Sequence, residues 1–506
     1  MRHHKASVLA LAVAGLVLVA CSTAEPDVVE VTRVVEVEVD SGGAPSGDSA
    51  VSDIEGGKDT IIVQAPVGVE PGEDAVSASD WDTEWSQKFG IKLLEAFDSG
   101  GDPAWDPAEH PLVYLASEGP GYSGLISSGV VFPGFLMIDA ETRETVAAPH
   151  YDLGQEEYFE PHGLGVSPGG EWIYIPTGAA AAWGSPSGGG RLLIINAQTL
   201  KLDKVLSTQG NPHHIKSFVD AQGRELVLVE NFSDSTFYVL DPNDDNRIVG
   251  GIDGSGLRGS GYLSFAHPSG QYIFVSVRTP FGSEGGVAVV DTDTWRTRAH
   301  IDTLDSSPIY VAFSADGETA YVTGGHESTV AKLDISAENP RAWNVSGFTS
   351  AGTLGPYGLT LNWDESQLWT IGKGEGAHNR GNTMGLIDPN IMTMPPRAWA
   401  PGSRGSFYTD CVRGDHALVN PVPEMNEMWI SCNASFNTII WDFETQSIKE
   451  NLATPNGGST HNGAFVQYEP DFTGRVLSDQ NGLQGPALEA KLDILAESAT
   501  ASLSND

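Results

Sequence analysis

Five histidines carry the chemistry this sequence suggests. His162 and His213 each follow a proline, in PHGLGVS and NPHHIKSF; His214 lies beside the second, and His416 and His461 fall in the last hundred residues. Neutral imidazole ligates copper, zinc, iron or nickel, and copper stands highest in intrinsic affinity, so copper is the favoured ion. Three cysteines in 506 residues, with no Cys-x-x-Cys, leave no soft thiolate site. Other templates fail. GSPSG (184–188) contains Gly-x-Ser-x-Gly but lies in a glycine-rich loop, whereas a nucleophile elbow needs a strand-turn-helix. No P-loop, dinucleotide fingerprint or HExxH segment occurs, and Asp415 and Glu327 lack the oxygen spacing of an EF-hand.

Whether the imidazoles meet depends on the elements that carry them. An apolar run ending in Asp or Asn recurs seven times, at Asp139, Asn196, Asp241, Asp291, Asp334, Asp388 and Asp442, with 43 to 57 residues between copies. Each short side chain can cap the turn after its strand, so these seven are structural. Before most copies stand a strand, a turn such as SPGG, HPSG or SADG, and a second strand such as EWIYIP, QYIFVS or ETAYVT. With 59 glycines and 30 prolines for turns, the chain reads as all-β: seven four-stranded units, a seven-bladed β-propeller. Aligning the units by their first turn gives one position at the start of each innermost strand. From the first blade to the seventh it holds His461, His162, His213, Tyr262, Ile309, Tyr357 and His416. Four histidines thus fall on blades seven, one, two and three, neighbours around a ring, at one mouth of the channel. Trp183, His326 and His378, in loops after second strands, belong to the same face. Successive side chains on a regular strand face opposite ways, which ranks His213 above His214. Tyr262 and Tyr357 are expected beside the ligands as donors, proton carriers or further ligands. A single histidine at a strand start also commonly bonds only a neighbouring loop, and that alternative stays open.

The units PHGLGVSPGGEWIYIPTG (161–178) and SPIYVAFSADGETAYVTGG (307–325) resemble the YVTN or YncE-like propellers over residues 110–475. That resemblance implies the fold and leaves the activity open, since propellers host many. The Pro-His-Gly and His-His elements are similar to those of the nitrous oxide reductase propeller, whose histidines hold a multicopper cluster. Here Ile309, Tyr262 and Tyr357 stand where further imidazoles would be wanted, and no cupredoxin segment follows. The resemblance therefore implies a smaller metal site, or a haem on one axial histidine as in the d1-haem propellers. A non-catalytic module, with Trp183 and glycine-rich loops binding a protein, peptide or glycan, is the reading of a different class.

The ends complete the organisation. Residues 1–20, with Arg2, Lys5 and thirteen apolar residues from Val8 to Ala20 before Cys21, look like a bacterial lipoprotein signal, which implies lipidation at Cys21. The protein is then expected outside the cytoplasmic membrane, anchored by lipid alone as a monomer, with an electron-transfer partner if the metal is redox-active. Residues 21–80 hold fourteen acids after the cysteine against Arg33 and Lys58 and no aromatic residue, the composition of a disordered tether. Residues 81–109 suggest a helix in WSQKFGIKLLEAF, and 476–506 a tail without chemistry. The first blade lacks an innermost strand while NGAFVQY (462–468) is left over, so the C-terminus is expected to complete it. With Cys21 lipidated, Cys411 and Cys432 are the remaining thiols, and an oxidising compartment pairs them. A net charge of −40 excludes nucleic acid as a partner.

Overall fold

The computed structural model describes residues 61–64 and 81–503, apart from short stretches at 108, 118–121, 124–125, 128–131, 153–158, 180–189, 232–233, 281, 376–380, 396–404 and 456–457. Cys21 and its signal, Trp183, the GSPSG loop and His378 all lie outside the described residues. Seven antiparallel sheets follow one another along the chain, and the fold is a seven-bladed β-propeller. Blade three shows the plan: Pro212–Val219, Glu225–Asn231, Thr236–Asp241 and Arg247–Ile252 pair in sequence order. Blade one takes its inner strand from the far end of the chain, Thr460–Tyr468 pairing with Leu112–Ser117. Apolar clusters fill the gap between each sheet and the next, as where Leu418, Trp429 and Ile440 of blade seven meet Val113, Leu115 and Phe465 of blade one. The seven Asp or Asn residues all cap turns; Asp139 Oδ1, for example, accepts from the backbone N–H groups of Glu141 and Thr142 at 2.9 and 2.7 Å.

Three terminal features differ from expectation. The segment expected as one helix is a short helix, α1 (Glu84–Phe89), closed by left-handed Gly90, followed by the strand Lys92–Ala96 on the outer edge of blade two. At φ +66° and with a Cβ position only 2.6 Å from Gln209, this cap position suits glycine. Ile61–Gln64, inside the expected tether, pairs parallel with Pro149–Asp152. The C-terminal segment is no idle tail. Gly474–Asp479 pairs with the inner strand of blade one on its axial side, and α2 (Gly485–Leu503) packs Ala487 against blades six and seven. Between them, Asp479 accepts from Ser217 of blade three, Asn481 Oδ1 accepts from the Ala266 N–H of blade four, and the Tyr310 hydroxyl of blade five donates to the Gln480 carbonyl at 2.8 Å. The segment is a strap across the ends of the inner strands, away from the end where the histidines lie.

Candidate metal centre

At the start of the inner strands six of the seven blades carry the same irregularity. In blade three Pro212 pairs with Asn231 and Ile215 with Val229, so two residues, His213 and His214, oppose the single residue Glu230. Such a bulge breaks the alternation of side chains. The same slip recurs at Gly261–Ser264, Pro308–Val311, Pro356–Leu359 and Gly414–Ala417, and at Thr460–Gly463 against Ser117–Leu115. Two expectations change with it. His214 joins His213 in the cluster instead of facing away, and blade seven aligns one residue earlier, with Asp415 in the position of His213 and His416 in that of His214.

All five imidazoles gather in one place. The ring of His214 is 4.0 Å from His213, 4.8 Å from His416, 5.2 Å from His461 and 5.7 Å from His162, centroid to centroid. His162 lies between His461 and His213, at 4.0 and 4.3 Å. His214, ranked last from alternation, is therefore central. The cluster is not an open mouth, since His213, His214, His416 and His461 are all buried and His162 alone is half-buried. Tyr357 packs edge-on to His416 at 5.1 Å and Tyr262 lies 5.8 Å from His213, with their hydroxyls 3.3 Å apart. His326 instead hydrogen-bonds Ser306 at 2.8 Å, an ordinary loop role.

Two carboxylates enter that the histidine pattern did not reveal. Asp415 Oδ2 lies 2.8 Å from His461 Nε2 and 3.1 Å from His416 Nδ1, while its Oδ1 is 2.8 Å from the ammonium of Lys373. Glu230 binds Lys216 and Ser264 through Oε1 and turns Oε2 toward His214 Nδ1 at 3.6 Å and His213 Nδ1 at 3.9 Å. Both lysines are buried. Only the pairing of second strands with bulged first strands brings Glu230 opposite its histidines, and no local motif announces that.

Burial pushes His213, His214 and His461 well below the ordinary imidazole range and lowers His416 as well, with Asp415 opposing the effect at both His461 and His416. Burial alone would raise Asp415, but His461 and Lys373 hold its carboxyl well below the usual range. Burial raises Glu230 despite Lys216. Neutral imidazoles beside carboxylate oxygens form the protonation state that metal ions require. Both ring nitrogens of His214 and Oε2 of Glu230 are buried without a hydrogen bond, a costly condition that an ion would relieve. Three donor groups have ligand atoms within 4.8 Å of one another: His162, His214 and His461; His213, His214 and Glu230; Asp415, His416 and His461. The donor groups fit a metal ion.

The disulfide is present. Cys411 and Cys432 are bonded with Cα atoms 5.1 Å apart, at the approach to Gly414–Val419, the strand that carries Asp415 and His416.

No protein-family profile matches the chain, and no curated protein does. Solved structures with a similar fold are β-propellers. Hydrazine synthase of Kuenenia stuttgartiensis is 13% identical with a TM-score of 0.47, covering 69% of this chain and 99% of that one. The periplasmic gluconolactonase PpgL of Pseudomonas aeruginosa is 17% identical at 0.49, covering 70% and 99%, and the dihydro-haem d1 dehydrogenase NirN is 12% identical at 0.44, covering 76% and 82%. The similarity is one of fold.

Proposed function

We propose that this chain is a lipid-anchored, extracytoplasmic metalloprotein whose propeller holds a transition metal in the buried histidine and carboxylate cluster, where it serves redox chemistry. The observation that carries the reading is His214, central to four other imidazoles, with both ring nitrogens buried and unbonded. His162, His213, His214, His416 and His461 would ligate, with Asp415 and Glu230 as oxygen donors, and Tyr262 and Tyr357 placed to pass protons or electrons beside them. Copper is favoured by intrinsic affinity, and the carboxylates also suit iron. An ion bound there would supply electron transfer or activation of a small ligand. The protein's part is to exclude water and fix the donors before the ion arrives, since the blades are held by their own apolar clusters.

Metal analysis of the full chain, expressed with its own N-terminus and purified without chelator, tests this. At least one tightly held transition-metal ion per chain is expected, and His214→Ala together with His461→Ala should remove it while the circular dichroism spectrum of the propeller persists. Full occupancy in that double variant, or none in the wild type after exposure to copper and iron, would turn the reading to a binding module.

A further inference from the structure

Two of the three donor groups share no residue, and the third, His162, His214 and His461, takes His214 from one and His461 from the other. His213, His214 and Glu230 form the first of these two separate sets, Asp415, His416 and His461 the second. Each is two imidazoles and one carboxylate, the combination that non-haem iron and related centres use on one face of an ion. The sets are built alike. In each, one carboxylate oxygen is fixed by a buried ammonium, Lys216 for Glu230 and Lys373 for Asp415, while the other oxygen faces the two imidazoles. Ligand atoms about 2.0 to 2.2 Å from a common ion stand roughly 3 to 3.5 Å from each other. The nitrogen-to-oxygen distances of 3.6 and 3.9 Å in the first set are too long for hydrogen bonds and close to that span. In the second set 2.8 and 3.1 Å would open slightly. The sets abut, His214 standing 4.8 Å from His416, and His162 lies between them, ring to ring with His461 and His213.

We infer that the centre holds two transition-metal ions, one on blade three through His213, His214 and Glu230, and one across blades seven and one through Asp415, His416 and His461. This rests on the metalloprotein reading and extends it from an ion to a pair. The lysines give each set a reason to exist separately: an ammonium on the outer oxygen orients the inner one and supplies the outer-shell hydrogen bond on which metal ligands depend. The lysines also offset the carboxylate charges, so the ions must enter with small anions such as hydroxide.

The test is stoichiometry. Full-length protein stripped by a chelator is titrated with cobalt(II), whose visible absorption reports coordination, and bound metal is counted by mass spectrometry after gel filtration. Two ions per chain are expected in the wild type, and one each in Glu230→Gln and Asp415→Asn. Because Glu230→Gln leaves Lys216 buried without its partner, a Lys216→Met/Glu230→Met chain is measured alongside, with circular dichroism to confirm folding, and it too should bind one. A single ion in the wild type, or wild-type stoichiometry in the folded carboxylate variants, overturns the pair and leaves the metalloprotein reading standing. No bound ion in the wild type overturns both.

Discussion

Replacing Lys373 by Met strips the ammonium from Asp415 and leaves the site's imidazoles untouched. At 2.8 Å and an effective dielectric of about 20, the direct attraction is about 6 kcal/mol. Part of that is recovered because His461 and His416 face the other carboxylate oxygen and can take up a proton, so the net loss should be the about 3 to 5 kcal/mol typical of breaking a buried pair. The loss depends on pH. In the variant an imidazolium would replace the ammonium, so the folded pKa of that histidine rises; its stabilisation is fully present below the unfolded value and disappears as pH rises through the folded one. The deficit should therefore be largest at alkaline pH and shrink toward pH 6. Metal should also rescue it, because an ion on Asp415 supplies the missing positive charge, so saturating cobalt(II) should raise the stability of Lys373→Met by more than it raises the wild type. Urea unfolding at pH 6 and 8.5, with and without cobalt(II), reads all of this. A metal-free variant within about 1 kcal/mol of wild type at pH 8.5 would refute the argument that Asp415 is ionised and dependent on its lysine.

Cys411→Ser with Cys432→Ser should cost about 3 kcal/mol by the loop-entropy relation and lower metal occupancy, because the bridge braces the strand bearing Asp415 and His416; unfolding and metal counts on the same sample check both. His150, buried on the outer part of blade one, is pushed by burial from 6.5 down to about 4. Stability tied to its neutral form is present above pH 6.5 and lost as pH falls toward 4, by at most about 3 kcal/mol; His150→Gln should flatten that limb of the stability profile, and an unchanged acid limb would rule the group out.

The repeat was legible because strand, turn and cap each leave a local signature: seven apolar runs with an Asp or Asn cap, and a surplus strand at 462–468 that found its place beside Leu112–Ser117. The histidine cluster was legible as a set of blades and wrong by one residue in detail. Strand alternation pushed His214 outward, and alignment by the first turn set His416 level with His213, whereas a bulge repeated in the blades turns both members of a pair inward. No residue type marks that bulge; it holds Pro-His-His-Ile in one blade and Gly-Asp-His-Ala in another. Lys216, Lys373 and Glu230 were invisible for a different reason: Lys216 and Glu230 are ordinary charged residues in strands, and Lys373 one just after a strand, until the assembled blades bury them. The C-terminal strap was missed because its anchors are a few bonds from Asp479, Gln480 and Asn481 to three different blades, with no periodicity to read.

The shared sheet of blade one sets a clock on the molecule. Its strand Leu112–Ser117 emerges from the ribosome before any other blade is made, and its partner Thr460–Tyr468, which carries His461, follows only after blades two to seven. Until then blades two to seven can pair internally, but the donor set is one imidazole short and Asp415 has Lys373 without His461. On the metalloprotein reading, a chain interrupted before residue 460 would therefore offer an ion an incomplete grip.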